Sequence, residues 1–465
     1  MHLLLESKDG PSSLLRDFTV PLDGLELILI LHAPDFRIYS QRTQRLHLPL
    51  NGNSNWILWE IEPFANGTFP ISVSAYNGAA YLGEIALSVK VTESLTRTES
   101  AEVERRTALA TRDAGLGEAT LSIRYDAREQ VFRYHFLFPQ EKISEEMNSE
   151  FLSRPPHEFV EFLVRDLNLS SGGQTNYNSE QTLTLLRGKG RDLWRQLIPP
   201  RLQELFWQHC ASIERLTVLA QGDNVPWELL YPTDDNTSSR DQGFLAEQLS
   251  LVRWIHGSAP STLLSLNNAY FVLPEEARSC LPATAGEEIN ALKRLIGTTN
   301  EDIRHLQGLL DCLKQADFDL LHFACHNTFT PSSPSSSSIQ MGSQKFTPDF
   351  LEGLNSDFTS RRPLVFINAC RSAGRSSLYT GLSGWADKFL RAGAGAFTGT
   401  SWDVRDTSAA IFAEVFYKSL LQGETLGSAM SAGRSAIQNQ NGDSTWLAYT
   451  LYGDPDARLS STDVL

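Results

Sequence analysis

The sequence is short of several things that would assign it quickly. Its five cysteines, Cys210, Cys280, Cys312, Cys325 and Cys370, are odd in number and widely spaced, with no Cys-x-x-Cys pair. That usage fits reduced thiols and argues against a disulfide frame or a cysteine-based zinc site. Basic residues are outnumbered, 40 Lys and Arg against 55 Asp and Glu, for a net charge of −15. A general nucleic-acid binder needs a positive surface, so no direct nucleic-acid contact is expected. No apolar run approaches the roughly 18 residues that would cross a bilayer. The opening Met1-His-Leu-Leu-Leu-Glu-Ser-Lys-Asp9 has neither the basic start nor the apolar length of a secretory leader. The expectation is a cytoplasmic protein with no membrane association.

Ligand motifs are also missing. Gly188-Lys-Gly190 lacks the preceding Gly and following Ser or Thr of a phosphate loop, and Gly393-Ala-Gly395 precedes a strand instead of following one. Asp234-Asp-Asn236 is too sparse for a calcium loop. No internal repeat occurs at solenoid periods. No metal or cofactor is expected.

What is present is a globular composition, 41% apolar and 20% charged over 465 residues, long enough for roughly two to four domains. Residues 1–95 read as all-β, a predicted sandwich with strands at Phe18–Pro21, Leu25–Leu31, Asn55–Ile61, Phe69–Ala75 and Tyr81–Val91 between Asp-Gly, Asn-Gly and Pro signals. Residues 96–116 are charged without an apolar face and read as a linker. In residues 117–260 a predicted hairpin, Ala119–Tyr125 with Gln130–Phe138, precedes helices at Pro156–Leu167 and Asp192–His209 and a strand at Arg215–Leu219. A short apolar helix follows in Val225-Pro-Trp-Glu-Leu-Leu-Tyr-Pro232, fenced by two prolines. Residues 261–465 alternate strand and helix, which predicts an α/β fold with a mostly parallel sheet flanked by helices.

Within that part, two apolar runs end on side chains that can do chemistry: Phe318-Asp-Leu-Leu-His-Phe-Ala-Cys-His326 and Pro363-Leu-Val-Phe-Ile-Asn-Ala-Cys370. As neighbouring parallel strands they would bring His326 and Cys370 to one edge of the sheet. A thiol attacks as thiolate, and an imidazole removes or balances its proton. Backbone N–H groups at Asn327 and Cys370, and in Arg371-Ser-Ala-Gly374, could receive an oxyanion. On pattern alone, packed His and Cys residues are the commoner reading. Strand alternation puts His322, Ala324 and His326 on one face and Cys325 on the other, so Cys325 is expected in the core and His322 as a satisfied buried histidine. Thr330–Ser343, rich in Ser and Pro, reads as a loop between the two candidates.

His322-Phe-Ala-Cys-His326, Asn368-Ala-Cys370, Val225-Pro-Trp-Glu-Leu-Leu-Tyr231, Gly384-Trp-Ala-Asp-Lys-Phe-Leu-Arg-Ala-Gly-Ala-Gly-Ala396, Ser401-Trp-Asp403 and Tyr452-Gly-Asp-Pro455 stand in an order that resembles the CHAT family of caspase-like, separase-related cysteine peptidases. The resemblance covers roughly residues 117–458. It implies a caspase-like sheet, with residues 117–260 a supporting half, residues 261–465 the catalytic half, and His326 and Cys370 as the dyad. Asn327 stands where such enzymes usually carry Gly; Asn tolerates left-handed backbone better than most residues. A carboxylate at Asp403 would select Lys or Arg before the cut; Trp402 either walls the same pocket or belongs to the core. Asp406 is expected to cap the next helix. The resemblance further implies a protein substrate and control by a partner protein, in a prokaryotic defence or cell-death system, with residues 1–95 as the docking region. Two other readings stay open, a non-catalytic scaffold of the same fold and a thiol hydrolase or acyltransferase acting on small molecules.

Overall fold

The computed structural model describes residues 2–3, 23–51, 53–92, 114–156, 158, 178–220, 225–234, 242–257, 260–275, 284–325, 327–328, 338–369, 382–402, 404–438 and 443–460. The predicted strand Phe18–Pro21, most of the 96–116 linker, most of the predicted helix after Pro156, and Asp235 and Asn236 lie outside them. The chain divides into two compact units, Met1–Thr120 with His135–Glu145 and His256–Ala259, and Leu121–Tyr134 with Glu146–Ile255 and Pro260–Leu465.

The first unit is β-rich, as its turn signals and alternating runs predict. Leu25–His32 (β1) buries Leu27, Leu29 and Leu31 and leaves the residues between them half-buried, the pattern of a strand with one covered face. It pairs antiparallel with Thr43–Leu48 (β2) and with Gly67–Asn77 (β3), and β3 pairs with Ala80–Val91 (β4), giving the order β2-β1-β3-β4. Strand β2 was not predicted. Its Thr-Gln-Arg-Leu-His-Leu sequence buries only Leu46 and so carries almost no period-2 signal.

A ten-stranded sheet has most of its residues in the second unit. In chain order its strands are Glu118–Asp126 (β5), Val131–Phe138 (β6), Ile143–Asn148 (β7), Arg215–Ala220 (β8), Ser250–Trp254 (β9), Ala269–Val272 (β10), Leu320–Cys325 (β11), Leu364–Ala369 (β12), Ala396–Thr400 (β13) and Tyr449–Tyr452 (β14). Their spatial order is β7-β6-β5-β8-β9-β14-β13-β12-β11-β10. The pairs β8–β9, β9–β14, β10–β11, β11–β12 and β12–β13 are parallel, and β13–β14 is antiparallel. The mostly parallel α/β sheet is the predicted fold class. Strand β9 escaped prediction because Arg253 interrupts its apolar run, and β14 is shorter than expected because Thr445–Ala448 forms a helical turn ahead of it.

Helices cover both faces of this sheet, which adjacent residues of β11 show directly. His322 lies against Tyr417 of Asp406–Leu421 (α6), whereas Phe323, one residue on, lies against Phe346 and against Phe389 of Leu382–Arg391 (α5). Successive strand residues point to opposite faces. All six residues of β11 are therefore buried, as a strand covered on two sides must be. Other helices are Ser179–Leu197 (α1), Pro200–His209 (α2), Thr284–Ile296 (α3), Leu306–Gln315 (α4) and Leu426–Ile437 (α7). The single helix predicted for Asp192–His209 is in fact the end of α1 followed by α2. The break falls at Pro199-Pro200, since proline has no N–H to continue the ladder and Pro200 is suited to open a new helix. Helix α1 begins with a reciprocal cap: Asn178 accepts from Gln181 N–H at 2.9 Å, and the Gln181 side chain accepts from Asn178 N–H at 3.0 Å.

Candidate active site

The strands that precede the candidate dyad in sequence are joined by one pairing. Strands β11 and β12 run parallel with Leu320 opposite Leu364 and, at the other end, Cys325 opposite Ala369. They stop level with each other. Strand β13 continues the same parallel edge, with Ile367 opposite Gly399. His326 and Cys370, each the residue after its strand, lie outside the described residues, as do Arg371–Gly374 and Asp403.

Asn327 is described as the first residue of a short strand, paired antiparallel with Ile339. That strand changes the predicted loop. Ser338–Met341 pairs with Asn327–Thr328 on one side and with Gln344–Phe346 on the other. Ile339 and Met341 are buried, an alternation that the preceding Ser- and Pro-rich run masks in the sequence. Trp402 is wholly buried, and its indole N–H has no acceptor among the described residues. Asp406 is not a cap. Arg405 holds the cap position, and Asp406 sits in the first turn of α6, where its charge complements the helix dipole.

Beneath the strand ends lies a polar cluster buried in the sheet–helix interface. His322 Nε2 is 2.9 Å from Glu288 Oε1 of α3, and His322 Nδ1 is 3.0 Å from the Tyr417 hydroxyl. Asn368 Nδ2 donates to the same Glu288 Oε1 at 2.8 Å, and the Tyr449 hydroxyl donates to Asn368 Oδ1 at 2.7 Å. None of the five is more than 5% exposed. His322 is thus the satisfied buried histidine that alternation predicts, and Cys325 is core. Burial, reinforced by the Glu288 charge, pushes the Cys325 thiol up and holds the Tyr417 hydroxyl well above the ordinary phenol range. Isolating a carboxylate from water costs several kcal/mol, of the order this set of donors must offset. Sequence reasoning missed Glu288, because a single acidic residue in an amphipathic helix does not reveal what it faces. Asn368 carried the one available signal, a lone amide inside a buried strand.

A second buried cluster explains the proline-fenced segment. Trp227–Leu229 forms one 3₁₀ turn. It delivers Glu228 to Arg253 of β9, with Arg253 Nε donating to Glu228 Oε1 at 3.1 Å. Arg434 of α7 lies in the same region, donates to the Tyr449 carbonyl at 2.7 Å, and has its pKa lowered to about 10 by burial. Glu228 therefore fastens this turn to the sheet.

Residues 187–454 match the model of the CHAT domain family, described as "CHAT domain". No curated protein matches the chain. Among solved structures, the Saccharomyces cerevisiae separase–securin complex is similar at 14% identity and a TM-score of 0.45, over 74% of this chain and 30% of that one. The chain thus spans under a third of the length of that separase chain. The complex of pro- and mature domains of Porphyromonas gingivalis RgpB is similar at 12% identity and a TM-score of 0.38, over 60% of this chain and 77% of that one. Among the described residues, no helix is long and apolar enough to cross a membrane.

Proposed function

Because this chain belongs to the CHAT domain family, we propose that it is a cysteine endopeptidase in which Cys370 is the nucleophile and His326 the general base. The observation that carries this reading is the level ending of β11 and β12, from Leu320 opposite Leu364 to Cys325 opposite Ala369. Each candidate is the next residue of one of these two strands. In the reaction the Cys370 thiolate attacks the peptide carbonyl, His326 holds the proton and returns it to the leaving amine, and water then releases the acyl group. The N–H groups of Asn327 and Cys370 would receive the oxyanion. Asp403 would select a basic residue before the scissile bond, with buried Trp402 anchoring its segment. The substrate is a protein. Activation through a partner docked on the N-terminal β-rich unit, in a prokaryotic defence or cell-death pathway, belongs to the same proposal.

Fluorogenic peptides ending in Arg or Lys test it. Turnover by the wild type, none by Cys370→Ala and none by His326→Ala is the expected result. Turnover that survives Cys370→Ala overturns the assignment, as does silence of the wild type with its genomic neighbours co-expressed.

A further inference from the structure

The buried cluster under the strand ends converges on one acceptor. A carboxylate oxygen accepts, so the His322 Nε2–H donates to Glu288 Oε1 at 2.9 Å, while Nδ1 pairs with the Tyr417 hydroxyl at 3.0 Å. From the other side Asn368 Nδ2 donates to the same oxygen, and Asn368 Oδ1 accepts from Tyr449. One buried oxygen therefore holds two neighbouring strands, β11 through His322 and β12 through Asn368. Among the described residues, the titratable groups around it are His322 and Cys325 on β11, Tyr417 on α6 and Tyr449 on β14.

Position makes this bridge more than core filling. In the sequence His322 is four residues before His326 and Asn368 two before Cys370, so both anchors sit close to the strand ends from which the dyad follows. A reactive pair must be held to within about 0.5 Å, and such precision comes from rigid elements locked by neighbouring hydrogen bonds. We propose that Glu288 is a positioning residue, which through His322 and Asn368 sets the relative height of β11 and β12 and so the spacing of the thiol and the imidazole. The inference rests on the Cys370–His326 reading above.

The test is alkylation of Cys370 in the full chain by iodoacetamide, followed by peptide mass spectrometry, since thiolate reactivity needs no knowledge of the substrate. Turnover of an Arg-coumarin peptide is measured beside it. Glu288→Ala is expected to slow Cys370 alkylation and kcat by about 100-fold, the effect of roughly 1 Å of misplacement, with KM unchanged. Glu288→Gln, which keeps the accepting oxygen, restores most of the rate. Leu292→Ala, a wholly buried change on the same helix, controls for lost stability and leaves both rates near wild type. If Glu288→Ala does not fold, Tyr449→Phe decides, with an expected loss of about tenfold from removing one bond to Asn368. Wild-type rates in the Glu288 and Tyr449 variants, with His326→Ala slow, overturn the positioning role and leave the dyad standing. So does an equal loss in Leu292→Ala. Wild-type Cys370 reacting no faster than in His326→Ala instead overturns the dyad, and the positioning role with it.

Discussion

Gly190 gives the sharpest test of the packing that supports the site. It lies buried in the middle of α1, and a Cβ built there would stand 2.3 Å from the Leu229 carbonyl oxygen and 2.8 Å from Tyr231 Cβ. Both obstacles belong to the backbone or are fixed to it, so neither can rotate away. The Tyr231 N–H also donates to the Gly190 carbonyl at 3.2 Å, which ties the helix to the proline-fenced segment. Gly190→Ala must therefore move α1 away from that segment. Overpacking of this kind costs about 3 kcal/mol at its upper range, against a gain of about 1 kcal/mol from replacing Gly inside a helix. The net expectation is a loss of about 2 kcal/mol, or a melting temperature about 4 °C lower in a unit of this size. Gly188, two residues earlier on the same helix, is exposed with nothing within 4 Å. Gly188→Ala should raise the melting temperature by about 2 °C. Thermal melts of the two variants beside wild type decide the matter. If Gly190→Ala stabilises as Gly188→Ala does, α1 does not make this close approach.

Three further outcomes are expected. Glu228→Ala removes the carboxylate that faces buried Arg253 and should lower unfolding stability in urea by about 3–5 kcal/mol; a change under about 1 kcal/mol would show that water reaches the pair. Burial pushes the Cys312 thiol up to about 12, so its alkylation should rise about tenfold per pH unit between pH 8 and 10 with no plateau. A plateau near pH 9.5 would mean an ordinary, exposed thiol. Asp403→Lys should turn peptide preference away from Arg and Lys, and an unchanged profile of cleaved residues would remove Asp403 from the specificity pocket.

Much of the fold was legible because apolar period and turn chemistry act locally. The strand–helix alternation after residue 261 and the two runs ending before His326 and Cys370 are marked by their own residues, as is the buried face shared by His322 and Ala324. Errors arose where a neighbour in space changes the meaning of a residue. Arg253 hid strand β9, since a charge inside an apolar run reads as surface until Glu228 is placed beside it. The Ser-rich stretch concealed a strand at Ser338–Met341, and Pro199-Pro200 divided what helical spacing alone had joined.

By itself, then, the sequence determined the kinds of element, their order, and the motifs that place the chain in its family, because each of these is written in adjacent residues. Which strand lies beside which, and at what height, was decided only in three dimensions, by hydrogen bonds between segments far apart in the chain. The level ending of β11 and β12 is one such outcome. The meeting of Glu288, His322 and Asn368 at a single carboxylate oxygen is another, for a lone polar residue in an apolar run announces that it needs a partner without saying where the partner comes from.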